Sequence, residues 1–406
     1  MRKIDTDNFQ RATRATSREV NRRILLNLVR DHQPVTRAEL ARMMGIPRGM
    51  VTSLVNQLLA EALIYEGPAV DTPRGRKPTS LYLRAHDRLA VGIDVRASRT
   101  SMRLSDFGGR EIARDRFATP ATPAELIEEL ERRVSRLIAR HPGAGTCEGV
   151  GLVVPGMVDP EAGQLLNAPT LGWRDVALRP ALEERLGLPV HLERDAVACA
   201  LAKIWLDDRA GEDLSSFVYV TVSDGLGTGL VVNGEVVRGS RHSAGEFGHI
   251  PLSEDGPRCS CGARGCWEAY ASDSATLARY RSRDGAAAAS RAPRRAAELT
   301  VGDLIARARD GDADARAALE TTARYLGLGL AAIVNALNPG RIIVGGEIAG
   351  AWDLLEPIIA ATMRARALTE AAASTPVHAE SADGDTRLRG ATALVLAPAF
   401  AAPQIA

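Results

Sequence analysis

Cys259-Ser260-Cys261-Gly262-Ala263-Arg264-Gly265-Cys266-Trp267-Glu268 packs three thiols into eight residues, with glycines that let the chain fold back on itself. Ten residues before the first thiol, Ala244-Gly245-Glu246-Phe247-Gly248-His249 supplies an imidazole. One His and three Cys make a complete tetrahedral set for zinc. A set closed by four protein ligands leaves no position for an activated water. The expected metal is therefore a structural Zn2+, one per chain, held by His249, Cys259, Cys261 and Cys266. The plainer reading is three incidental thiols beside a buried histidine, and the C-x-C-G-x-x-G-C spacing argues against it.

The rest of the composition says where such a knot can work. With 45% hydrophobic and 25% charged residues, the 406-residue chain reads as globular, with room for two or three domains. No apolar run reaches the roughly 18 residues of a membrane span, so no membrane role is expected. The opening twenty residues lack the apolar core of a secretory signal. The expected address is the cytoplasm, where five cysteines serve as thiols or metal ligands rather than a disulfide framework.

A net charge of +1 conceals an asymmetry: residues 1–85 hold 15 Arg and Lys against 8 Asp and Glu. A basic head on an acidic body is the split expected when one module faces phosphates. Ile24, Leu25, Leu28 and Val29 form a helical stripe within Asn21–Arg30. Thr36 and Glu39 have the spacing of a capping box, and the helix they open, with Leu40 and Met43 inward, stops at Gly45. Pro47 suits a first helical position. Val51, Leu54, Val55, Leu58 and Leu59 then follow at helical spacing.

Two short helices joined by a Gly-containing turn are a helix-turn-helix, whose second helix enters the major groove by its N-terminal residues. Outside its core this helix carries Arg48, Gly49, Thr52, Ser53, Asn56 and Gln57, none acidic. Of these, Arg48, Thr52, Ser53, Asn56 and Gln57 are the candidate contacts to operator DNA. A loop with Arg74, Arg76 and Lys77, followed by the alternating strand Leu81-Tyr82-Leu83, reads as a basic wing reaching the backbone or minor groove. A small helical domain for protein contacts is the alternative.

From Leu89 the texture changes to buried strands alternating with helices, an α/β body. Leu89–Val95, Ser101–Ser105 and a Gly108-Gly109 turn open it, ahead of a helix at Pro123–Arg140. Val150–Val154, Phe217–Val222 and Arg341–Gly346 follow. Gly225-Leu226-Gly227-Thr228-Gly229 and Gly345-Gly346 read as Gly-rich turns suited to close approach of phosphates. The stretch Asp284–Glu298, rich in Ala and Arg, reads as a surface excursion without an assigned role.

The Gly-Glu-x-Gly-His segment, the C-x-C-G-x-x-G-C-x-E knot and Leu337-Asn338-Pro339 before Arg341–Gly346 resemble the ROK family of repressors and sugar kinases. Val154–Asp159 and Ala168–Trp173 match its pattern as well, and the resemblance runs from about Asn21 to Thr392. It implies a two-lobed, actin-like sensor with a sugar or sugar phosphate between the lobes, and a homodimer or tetramer. The attached winged helix matches the repressor branch, that of the xylose and N-acetylglucosamine repressors. The expected boundaries are a winged helix-turn-helix over 1–86, one lobe over 87–193 completed by a C-terminal helix at about 387–402, and a second lobe with the knot over 194–386.

The resemblance also says what is altered. A ROK kinase binds phosphates at D-x-G-G-T, and here that place reads Asp94-Val95-Arg96-Ala97-Ser98, without glycines. Catalysis is therefore not expected. A kinase with an appended head is the rival, decided by ATP turnover. By resemblance Glu246, His249 and Glu268 contact sugar hydroxyls, His249 through the ring nitrogen not given to zinc. The usual Asn-Asp-Ala-Asn is Arg194-Asp195-Ala196-Val197, which keeps the kinases' general base as Asp195, and the Asn of A-P-N-L is Thr170. Arg194 has three readings: a solvated side chain at a strand end, a bidentate receptor for an anionic sugar, or a partner of Asp195 or Glu246 that fills the cleft. The whole predicts a carbohydrate-gene repressor in which a ligand shifts the spacing of two recognition helices, with the knot relaying closure.

Overall fold

The computed structural model describes residues 14–68, 79–206, 214–283, 299–380 and 385–401. The head begins with a helix over Arg14–His32. Thr36 and Glu39 then form the capping box in full. The Thr36 hydroxyl accepts from the Glu39 N–H, and the Glu39 carboxylate accepts from the Thr36 N–H at 2.8 Å. The helix they start, Arg37–Met44, ends at Gly45 in the left-handed region (φ 63°), and the second helix of the motif runs Arg48–Ala60. Pro47 caps this helix from just outside rather than opening it. A small antiparallel sheet joins Val35–Thr36, Ile64–Gly67 and Ser80–Leu83. The expected wing-tip residues Arg74, Arg76 and Lys77, and the stretch Asp284–Glu298, lie outside the described residues.

Two inward assignments are corrected. Ile24 and Met43 are 44% and 43% exposed, whereas Leu25, Leu26 and Val29 are buried. The first helix is covered on a second side by the C-terminal helix Thr386–Phe400, whose Val395, Leu396 and Phe400 join the head's core. That second contact turns the buried arc away from Ile24. Met43 stands at the end of a two-turn helix, and Met44 packs instead.

The body contains two five-stranded sheets of the same topology. In the first, Arg88–Val95, Arg99–Asp106 and Glu111–Ala118 form an antiparallel meander. Thr146–Val154 and Val190–Arg194 add parallel on the other side of its first strand. The second repeats this with the meander Phe217–Val222, Leu226–Val232 and Glu235–Val236, flanked by the parallel strands Arg341–Gly345 and Val377–Ala379. Each sheet has its own apolar core. The first is closed by the helix Pro123–Ala139, started by a Thr122/Glu125 capping box.

Between the sheets lie the helices Asp195–Trp205 and Thr386–Phe400. Their approach is close enough to demand glycine. A Cβ on Gly151 would sit 1.8 Å from the Ala391 carbonyl, and one on Gly390 would sit 2.1 Å from that of Ala198. The same reason corrects the expected turn at Gly225–Gly229. Leu226–Val232 is strand, and Gly229 makes room for the Ala196 carbonyl rather than for a phosphate.

Candidate metal centre, cleft and nucleic-acid interface

The knot assembles from a loop and a short turn. His249 ends a 3-10 turn over Phe247–His249. The cysteine segment folds back through Cys259 N–H to Ala263 O (2.9 Å) and Gly262 N–H to Cys259 O (3.1 Å). Gly265 (φ 69°) passes so close to Ser253 O that a Cβ would overlap it at 1.6 Å. Trp267, fully buried, pins the end of the knot under the helix Ala313–Leu337 by donating its indole N–H to Tyr325 O at 2.8 Å.

The four expected ligand atoms all lie within 4.8 Å of one another. Cys261 Sγ stands 3.7 Å from Cys266 Sγ, and Cys259 Sγ 3.5 Å from His249 Nδ1. Sulfurs bound at about 2.3 Å to one tetrahedral ion stand about 3.8 Å apart, and an imidazole nitrogen falls slightly nearer. The donor set and its spacing therefore fit a tetrahedral metal. Burial pushes the Cys259 thiol up to about 12 and raises that of Cys266. Thiols so placed stay protonated at neutral pH unless a cation stabilises the thiolates.

The cleft residues form one continuous network beside the knot. His249 turns Nδ1 to the cysteines and Nε2 toward Glu246, 3.9 Å from its Oε2. Glu268 is engaged at both oxygens, accepting from Ser260 Oγ (2.7 Å) and from the Leu226 N–H (3.0 Å). Arg194, buried at the end of its strand, donates to Glu246 Oε1 and to the Ala244 carbonyl. Of the three readings of Arg194, the solvated one is overturned, and pairing with Glu246 is the one observed. Asp195 is not its partner. Burial still raises the Glu246 carboxyl above its usual range, although Arg194 and His249 oppose it.

Asp195 meets Arg387 instead, at 3.4 Å. Arg387, in the first turn of the C-terminal helix, also stands 3.0 Å from Asp94, whose other oxygen accepts from Arg96 Nε at 2.7 Å. Burial works to raise the Asp94 carboxyl, and the two guanidinium groups outweigh it and hold it low. The strand end that carries phosphates in the kinase pattern is thus filled by an Arg–Asp–Arg–Asp chain. Arg387 was missed in the sequence, where nothing marks it out from the other arginines. Two more pairs hold the loop that follows Glu235–Val236: Arg238 with Glu193, the neighbour of Arg194, and His242 with Glu161 at 3.7 Å.

On the recognition helix, Arg48, Thr52, Ser53 and Asn56 are exposed and Gln57 is half-buried, while Val51, Leu54, Val55 and Leu58 are buried. Thr52 donates to the Arg48 carbonyl (2.9 Å), Ser53 accepts from Arg18 (3.2 Å), and Gln57 donates to Glu61 (2.9 Å). The head is fixed to the body by Asn27, which donates to Phe400 O at 2.8 Å, by Arg23 to the Pro398 carbonyl at 3.1 Å, and by Arg30 over the Phe400 ring.

A twin-sheet body with a knot of one histidine and three cysteines beside its cleft, joined to a helix-turn-helix head, defines a class of regulators built on a sugar-kinase frame. The chain belongs to the ROK family, whose profile matches residues 90–397. It is 30% identical to a xylose repressor of Bacillus spizizenii, across 82% of this chain and 83% of the repressor. In fold it matches a ROK family transcriptional regulator homologous to the Escherichia coli MLC protein (TM-score 0.79, 24% identity). That match covers 95% of this chain and 98% of the other. A ROK glucokinase from Streptomyces griseus, solved with glucose and AMPPNP, matches at TM-score 0.63 and 29% identity. It spans 75% of this chain and 98% of the kinase.

Proposed function

We propose that the chain is a DNA-binding transcription regulator that represses carbohydrate-metabolism genes and responds to a sugar or sugar derivative in its cleft. The observation that carries this reading is the Arg387 bridge between Asp94 and Asp195 in a body attached to a capped helix-turn-helix. In a kinase, Asp195 would take the proton of the attacking hydroxyl. Here its carboxylate faces a guanidinium, and the loop after Asp94 presents Arg96 where glycines would admit phosphate oxygens.

In this reading Arg48, Thr52, Ser53, Asn56 and Gln57 meet operator DNA, with Arg74, Arg76 and Lys77 on the adjoining loop. Two copies act together, because recognition helices must reach successive major grooves about 34–36 Å apart. The head spans 1–86, one lobe 87–193 with the C-terminal helix, and the other 194–386. His249, Cys259, Cys261 and Cys266 hold zinc, which supplies a rigid cross-link beside Glu246 and Glu268 when bound. Among the described residues no helix is long and apolar enough to cross a membrane. A regulator of this kind would meet its operator in the cytoplasm.

A second reading is favoured by a specific contact. Arg194 holds Oε1 of Glu246, so a sugar that is to engage both oxygens of that carboxylate must displace an arginine. A regulator whose cleft no longer answers to sugar would look the same. The test is binding of the full chain to a selected DNA duplex, with and without a panel of neutral and acidic sugars, alongside ATP turnover. Salt-dependent, sequence-specific binding relieved by one sugar, without ATP hydrolysis, is the expected result. Sugar-dependent ATP turnover would overturn the proposal, and binding indifferent to every sugar would select the second reading.

A further inference from the structure

The first turn of the recognition helix contains two residues that the fold itself does not use. Gly49 is helical, yet a Cβ added to it would meet nothing within 4 Å. Glycine at an exposed helical position lowers helix stability relative to alanine, and neither crowding nor a positive φ requires it here. Next to it, Met50 is 46% exposed, while the other large apolar side chains of this helix are buried or partly buried. Three of the polar residues on the outward side are already engaged within the head, Thr52 with the Arg48 carbonyl, Ser53 with Arg18 and Gln57 with Glu61.

We propose that the Gly49–Met50 step is a specificity-determining contact, at which Met50 reads a thymine methyl and Gly49 leaves room for the base edge or phosphate beside it. The inference rests on the head binding DNA. Recognition helices lead into the major groove with their N-terminal residues, and that is where these two stand. The thymine C5-methyl is the one apolar feature a base pair presents in that groove, and side chains read it by apolar contact. A thioether on a flexible stem adapts to such a contact readily. Removing Cβ from the neighbouring position brings the helix backbone closer to the duplex.

The test uses the full chain and a duplex selected by it from a random pool. In one arm each thymine of the half-site is replaced by uracil, which removes only the methyl. The wild-type chain is expected to lose about 3- to 5-fold in affinity at one thymine, the order expected for one buried methyl, and Met50→Ala is expected to bind the thymine and uracil duplexes equally. In the second arm, Gly49→Ala is expected to raise the melting temperature of the chain while weakening duplex binding at least tenfold. Opposite signs in stability and binding separate a contact role from a structural one. Uracil sensitivity that persists in Met50→Ala, or none in the wild type, overturns the Met50 contact. Unchanged binding by Gly49→Ala overturns the close approach. If no duplex is enriched, DNA binding itself fails and this inference falls with it.

Discussion

Arg194 reaches from the edge strand of one sheet to Glu246, a carboxylate that directly precedes the turn ending in His249 of the His/Cys cluster. The guanidinium is buried and is held a second time by the Ala244 carbonyl. This cross-cleft pair and Glu193–Arg238 lace the loop 238–246 to the first sheet, and His242 of the same loop stands 3.7 Å from Glu161. Glu193 accepts from the Arg194 backbone N–H, and Asp195 and Glu268 act on the same Glu246 carboxyl. Arg194 therefore acts as an internal counter-ion more than as a receptor for an acidic sugar.

Its removal gives the first prediction. Arg194→Ala exposes Glu246 to hydroxyl groups, so neutral sugars should bind at least tenfold more tightly, a gain of about 1.4 kcal/mol. Calorimetric titration of both proteins checks this. Equal or weaker binding by the variant would show that the pair is not the barrier to sugar entry.

Arg387 should matter for folding rather than for turnover. Taking it away leaves Asp94 buried beside Asp195 with one counter-charge fewer, and breaking a buried pair costs about 3–5 kcal/mol. Arg387→Met should lower stability in urea by that order. Adding Asp94→Asn should restore a large part of it, because the stranded charge is then gone. Strict additivity of the two losses would contradict the pairing.

Metal removal should loosen the knot and leave most of the body folded. A strong chelator is expected to release one zinc per chain and to lower the melting temperature by about 2–4 °C for each kcal/mol lost. Cys261→Ala, altered at the exposed thiol, should retain little metal and lose its ligand response before its fold. A variant that responds normally while free of zinc would remove the knot from the signalling route.

Acid should act on the head through Glu19. Hydrogen bonding to Arg22, with Arg23 beside it, holds its carboxyl at about 2, against 4.5 in the open chain. A lowered folded-state value contributes stability that is present in full above pH 4.5. That contribution fades as the pH falls through 2. Glu19→Gln should flatten this part of the pH–stability curve. The pair is half-buried on the head's surface and still screened by solvent, so the effect should stay near or below about 1 kcal/mol.

The head's cap needs only one substitution to probe. Thr36→Ala removes the hydroxyl that accepts the Glu39 N–H, at a cost of about 1 kcal/mol. Circular dichroism on thermal unfolding reads the loss, and Thr36→Ser should recover most of it.

How much of this was legible in the sequence depended on range. The Thr36/Glu39 box and the Cys259–Cys266 knot are local, set by spacings that leave the chain few alternatives, and both appear where the spacing put them. Ile24 was misplaced because a second helix, more than 300 residues later, covers the first from a side that periodicity alone does not reveal. Arg387 was invisible for the same reason. Its meeting with Asp94 and Asp195 depends on Gly151 and Gly390 letting the last helix sink between the sheets. The replaced Asn at 194 was visible, but its partner was not, because Asp195 and Glu246 were equally suitable by charge.

That last helix has a consequence for biosynthesis. The head's Arg23 and Asn27 bond to carbonyls 375 and 373 residues later in the chain. The ribosome thus delivers the head first and these carbonyls last. Until the last helix emerges the head rests only on the part of its seat made earlier, Ala90, Phe107 and Trp205 among it, and nascent chains carry a basic module that is incompletely moored.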